Sequence, residues 1–124
     1  MKFSRVRRGS AENAVLASAA AVSAVGLVVH NFADLPGETV LHPESLYPVM
    51  VTTALVAIWF TKFRRSATWA PIGWTVRNLV GGGIISVLPL PILPFHPEQS
   101  TRHYRFHLLY ILTQIPLLIV TVRW

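Results

Sequence analysis

Residues 102–124 read RHYRFHLLYILTQIPLLIVTVRW, and the polar residues in this apolar run are not scattered. At about 100° per residue, His103, His107, Tyr110 and Gln114 share one sector of roughly 60°, with Thr121 on the same side. Polar groups in a bilayer are costly and turn toward the bundle interior, so a stripe this narrow faces a neighbouring helix and leaves the other faces to lipid. The run also has the about 20 residues that a helix needs to cross the hydrocarbon. Pro116 removes one backbone hydrogen bond and predicts a kink there.

Three further apolar runs lie upstream, at about 13–31, 46–63 and 71–88. The first is rich in Ala and Val and ends before Asp34-Leu35-Pro36-Gly37. It carries a complementary stripe of small and polar residues: Ala19, Ser23, Gly26 and His30, spaced as one helical face. The second tolerates Pro48 in its first turn and is closed by Lys62, Arg64 and Arg65. The third is the weakest helix, because Gly81-Gly82-Gly83 lowers its propensity. Within it Asn78, Gly82 and Ser86 form a ladder of small side chains suited to close packing. Pro89, Pro91 and Pro94 then forbid regular helix, so residues 88–97 read as a stiff extended strap, with a re-entrant loop as the alternative.

The expected fold class is therefore all-α: residues 1–124 form a single transmembrane domain, an integral membrane bundle of four helices, with a Pro-rich extended strap after the third. Composition agrees. The chain of 124 residues is 52% apolar and 13% charged, against roughly 25% charged in a soluble domain. A net charge of +6 does not indicate nucleic acid, because the basic residues fall in clusters between long apolar runs.

Charge placement sets the topology. Lys2, Arg5, Arg7, Arg8, Lys62, Arg64, Arg65, Arg77 and Arg123 fall on one side with the single acid Glu12. Asp34, Glu38, Glu44 and Glu98 fall on the other with Arg102 and Arg105. The positive-inside rule places both termini in the cytoplasm, consistent with four crossings, which put both ends on one side. A multi-pass location in the plasma (inner) membrane is expected. The Ala17-Ser18-Ala19 triplet comes too early in its apolar run for signal-peptide cleavage. Tyr47, Trp59, Trp69, Trp74, Tyr104 and Trp124 fall near the expected interfaces as an aromatic belt. Glu12 suits a helix start, and Arg77 is expected to snorkel inward or to pair with Glu12.

The absence of cysteine removes disulfides, thiolate nucleophiles, iron–sulfur clusters and covalently attached c-type haem. Any metal or haem must use His, carboxylate or Met. His30, His42, His96, His103 and His107 all fall on the outer half. His103 and His107 have the i, i+4 spacing that can put two imidazoles on one metal, and they are the candidate metal ligands. His30, His103, His107, Tyr110 and Gln114 form the candidate cofactor-binding set. Interfacial histidines bonded to headgroups or loop carbonyls are the competing account.

No catalytic residues can be assembled, and no enzymatic activity is expected. The leading expectation is a non-catalytic accessory or assembly subunit of a larger membrane complex, or a homo-oligomer, with no cofactor. The alternatives are a haem-, quinone- or metal-binding membrane protein using the outer histidines, with haem or a divalent metal as cofactor, or a small transporter. Expected partners are anionic lipid headgroups and other membrane subunits or a second copy, not nucleic acid.

Overall fold

The computed structural model describes residues 2–64 and 68–123, with side chains from Gly9 onward. The side chains of Lys2, Arg5, Arg7 and Arg8, together with Arg65 and Trp124, lie outside the described residues. Among those described the fold is all-helical and contains no strand. Helix α1 runs Lys2–Asp34, α2 Pro43–Trp59, α3 Trp69–Val76 and α4 Thr101–Arg123. A π-helical segment, Arg77–Ile84, continues α3 and is followed by a 3-10 turn, Ile85–Val87. Two helical stretches are long and apolar enough to cross a membrane, Gly9–Asp34 and Thr101–Arg123. The second apolar run gives a helix of 17 residues, and the third changes its winding partway.

Local chemistry explains the ends. Pro43 occupies the first turn of α2, where its missing N–H costs nothing, behind an extended His42. The Ser100 hydroxyl accepts from the His103 amide at 3.2 Å and caps α4. At the end of the third helix Leu88 turns extended, with ψ 138°, as the residue before Pro89 must. Residues 88–97 carry no helix or strand. The glycine triplet sits inside the π-helical segment, where weak α propensity lets the wider winding compete.

One boundary differs from the sequence expectation in a way that matters. Helix α1 does not stop before Asp34 but includes it, and the Leu35 amide still bonds to the Asn31 carbonyl at 2.8 Å. Pro36, not Asp34, is the obstacle to helix here. The Asp34 carboxylate is therefore held on the helix instead of in a loop.

Helices α1 and α4 pack antiparallel along their length. Residue numbers rise on one as they fall on the other: Ser23 meets Gln114, Gly26 meets Thr113, and His30 meets His107. At Gly26 a Cβ would stand 1.9 Å from the Thr113 hydroxyl, so only glycine permits this approach. The stripe quoted above is the face that α4 buries: His103, His107, Tyr110, Gln114 and Thr121, with Leu117. Opposite them lie Leu16, Ala19, Ala20 and Ser23 of α1, all buried.

Polar side chains share the interior with the apolar residues, and many large apolar side chains lie on the surface. Ser23, Ser45, Thr52, Thr75, Asn78, Gln114 and Thr121 are buried, while Leu41, Met50, Leu108, Leu112 and Val122 are exposed. The buried groups have partners. Gln114 and Ser23 exchange two hydrogen bonds, the hydroxyl to Oε1 at 2.6 Å and Nε2 to the Ser23 carbonyl at 3.1 Å. Thr75 and Thr121 bond back to carbonyls in their own helices. Trp59 departs from the expected aromatic belt. It is buried in the cluster with Leu16, Ala19, Ala20 and Leu117, and its ring stacks 4.4 Å from the Arg64 guanidinium carbon. Trp69, Tyr47 and Tyr104 are exposed.

Candidate metal centre

The antiparallel pairing brings the last turn of α1 against the first turns of α4. The first contributes His30 and Asp34, four residues apart; the second contributes His103 and His107, also four apart. Each pair therefore projects from one face of its helix. Arg102 ties the two ends together by donating to the Ala33 carbonyl at 3.0 Å, where a cation complements the helix terminus.

Three electron-pair donors converge. His30 Nε2 is 2.9 Å from His107 Nε2, and Asp34 Oδ2 lies 3.1 Å from the first and 3.6 Å from the second. The tautomers follow from the outer partners. His107 Nδ1 is 3.2 Å from the Gly83 carbonyl, which can only accept, so Nδ1 carries the hydrogen. His30 Nδ1 is 3.2 Å from Asn31 Oδ1. The Asn31 amide nitrogen is spent on the Glu44 carbonyl and Ser45 hydroxyl, so that oxygen also accepts. With Nδ1 committed outward on both rings, each Nε2 faces the other and a carboxylate oxygen. Such an arrangement is repulsive unless a proton or a cation lies among the donors.

The spacing suits a metal ion. With metal–ligand bonds of about 2.0–2.2 Å, tetrahedral ligand atoms stand roughly 3.3–3.6 Å apart. The observed separations are within a few tenths of an ångström of that. Hydrogen bonding of each ligating imidazole through its other nitrogen to a carbonyl or amide oxygen is the outer arrangement that metal-bound histidines use. The π-helical segment supplies one of these oxygens. Its Gly83 comes close enough to α4 that a Cβ would lie 2.7 Å from Ile111 Cγ1.

His103 stands beside this group and not within it. Its Nδ1 is 3.0 Å from Asp34 Oδ2 and orients the carboxylate. Its Nε2 is buried and has no hydrogen-bond partner among the described residues. Of the two expected metal ligands, then, His107 joins the three-donor group and His103 supports it. Tyr110 packs its ring 5.2 Å from that of His30. Gln114 lies deeper, committed to Ser23. His42 is apart, in the loop before α2, accepting from the Thr39 amide and facing Glu38. Glu12 pairs with Arg64 at 3.8 Å and not with Arg77.

Two participants escaped the sequence expectation. The first apolar run ends before Asp34 in the sequence, although the i, i+4 distance of Asp34 from His30 on a helix extended by one turn is the signal that finds it. Gly83 contributes through its backbone, for which no side-chain motif exists. The geometry also bears on haem: two imidazole nitrogens 2.9 Å apart leave no slot for a macrocycle between them. No family model, curated protein or solved structure matches the chain.

Proposed function

We propose that this chain is an integral membrane protein that holds a divalent cation near its outer face through His30, Asp34 and His107. The observation that carries this reading is the convergence of His30 Nε2 and His107 Nε2 on one another and on a single Asp34 carboxylate oxygen. Two imidazoles and a carboxylate suit zinc, and equally ferrous iron with positions left open. Purification in detergent without chelators, followed by elemental analysis, gives about one zinc or iron per chain. His107→Ala and Asp34→Asn remove it, and a metal content unaffected by both would overturn the reading.

The membrane setting is proposed with four crossings and both termini on the cytoplasmic side. Its support is two helices long and apolar enough to cross a bilayer and the many large apolar side chains exposed on the surface, with hydroxyl and amide groups turned inside. The chain lacks cysteine, so single cysteines report cleanly. Ser4→Cys and Lys62→Cys label from one face and Glu98→Cys from the other; labelling of the first two from opposite faces would end the four-crossing arrangement.

A further inference from the structure

Beside the three donors lies a cavity of about 320 Å³ between α1, α2, the π-helical segment and α4. We propose that it receives a small organic monoanion, a carboxylate, which enters the coordination position that three protein ligands leave open. This rests on the metal reading above. His30 and Tyr110 form the wall that the cavity and the metal centre share, and Arg77, Asn78, Glu44 and Tyr47 are among its other lining residues.

The charges select the ligand. Arg77 has no carboxylate partner among the described residues. Its guanidinium contacts Asn78 Oδ1 at 3.3 Å and lies over the Trp74 ring. Glu44 makes no ion pair among the described residues either. A divalent ion offset by Asp34 leaves one positive charge at the centre, while Arg77 and Glu44 offset each other. One negative charge is missing at the buried end beside His107 and Tyr110, where unbalanced charge is costly, while Arg77 and Glu44 stand at the exposed rim. A monoanion supplies it; a neutral ligand leaves the imbalance, and a cation increases it.

Hydrogen bonding points to the same place. Tyr110 is 3% exposed, and its hydroxyl has no hydrogen-bond partner among the described residues. Against Gly82 it has room only because that residue lacks a Cβ, which would stand 3.0 Å from the hydroxyl oxygen. A carboxylate bound beside His30 accepts from this hydroxyl. The apolar remainder of the ligand lies along Leu27 and Pro48.

The test uses the full-length protein in detergent, loaded with Co2+, whose visible absorption responds to any change in its ligands. Benzoate shifts the spectrum saturably, and benzyl alcohol at the same concentration does not. Arg77→Gln weakens benzoate binding about tenfold, and Arg77→Lys, which keeps the charge, recovers part of the loss. Cobalt loading read before benzoate is added checks that each variant is folded. Bound cobalt with no response to benzoate, or an equal response to benzyl alcohol, overturns this proposal and leaves the metal centre standing. Wild-type benzoate affinity in Arg77→Gln overturns the charge argument and the proposal with it. Failure of Co2+ to bind wild-type protein removes the metal reading itself.

Discussion

The middle of the α1–α4 pair and its outer end are built from the same two helices in the same register, and they treat polar groups in opposite ways. At the middle, Ser23 and Gln114 exchange two hydrogen bonds, and Gly26 lets Thr113 approach until no space remains. At the other end, His30, Asp34 and His107 bring two ring nitrogens and a carboxylate oxygen together, an arrangement that needs a proton or a cation among them. Closed satisfaction fixes how two helices pack. Unclosed convergence costs stability unless something else arrives, and that is the signature of a site.

Breaking the closed half has the largest expected effect. Gly26→Val puts side-chain atoms where the Thr113 side chain already is, so the helices must separate. A loss of about 3 kcal/mol, at the upper end for overpacking, is expected in unfolding by SDS titration. Thr113→Gly in the same chain recovers part of it. Breaking the open half acts on metal and leaves the packing largely in place. His107→Ala weakens metal binding about a hundredfold or more, beyond the 10–100-fold typical of an outer partner, as read by competition with a chromophoric chelator. Equal effects of both variants on folding would erase the distinction between the two regions.

Much of this contrast is written in the residues themselves. The polar stripe of α4 is legible because four side chains fall within one sector of a helix, and that sector is the face α4 buries. The small stripe of α1 is legible for the complementary reason. The prolines of residues 88–97 announce the break after the third helix. What sequence does not give is where a backbone chooses between close alternatives. Asp34 lies one turn beyond the apparent end of α1, and the difference between helix and loop there is a single hydrogen bond from Leu35. The π winding at Arg77–Ile84 is likewise a small energetic preference, set by glycines and by contact with α4. Trp59 reads as an interfacial residue by position, yet the pocket left by Ala19 and Ala20 takes it inside.

The outer partners of the imidazoles sharpen the comparison further, because they belong to both kinds of region. Asn31 closes its amide on the Glu44 carbonyl and the Ser45 hydroxyl while its oxygen sets the tautomer of His30. Asn31→Leu therefore lowers metal affinity about tenfold through loss of ring orientation. Adding saturating zinc raises the stability of the wild-type protein, by about 2.7 kcal/mol at a hundred times the dissociation constant. In Asn31→Leu, at that same zinc concentration, the gain falls by about 1.4 kcal/mol, the equivalent of tenfold weaker binding. Comparing SDS midpoints with zinc and with EDTA measures both.

The smallest expected effect is at Gln114, and it separates the two regions most cleanly. Gln114→Leu keeps the volume but removes both hydrogen bonds to Ser23. The serine hydroxyl can turn to a carbonyl of its own helix, as Thr75 and Thr121 already do, which leaves one backbone carbonyl as the principal loss. Interhelical hydrogen bonds in membranes contribute on the order of 0.6–1.7 kcal/mol, so a destabilisation of about 1 kcal/mol is expected. Metal affinity should not change, because Gln114 shares a helical face with His107 but none of its partners. A large fall in metal binding on this substitution would mean that the deep hydrogen bond and the outer donors act as one unit, coupled through the α1–α4 register. The division between a packing region and a binding region would then give way to a single cooperative polar seam.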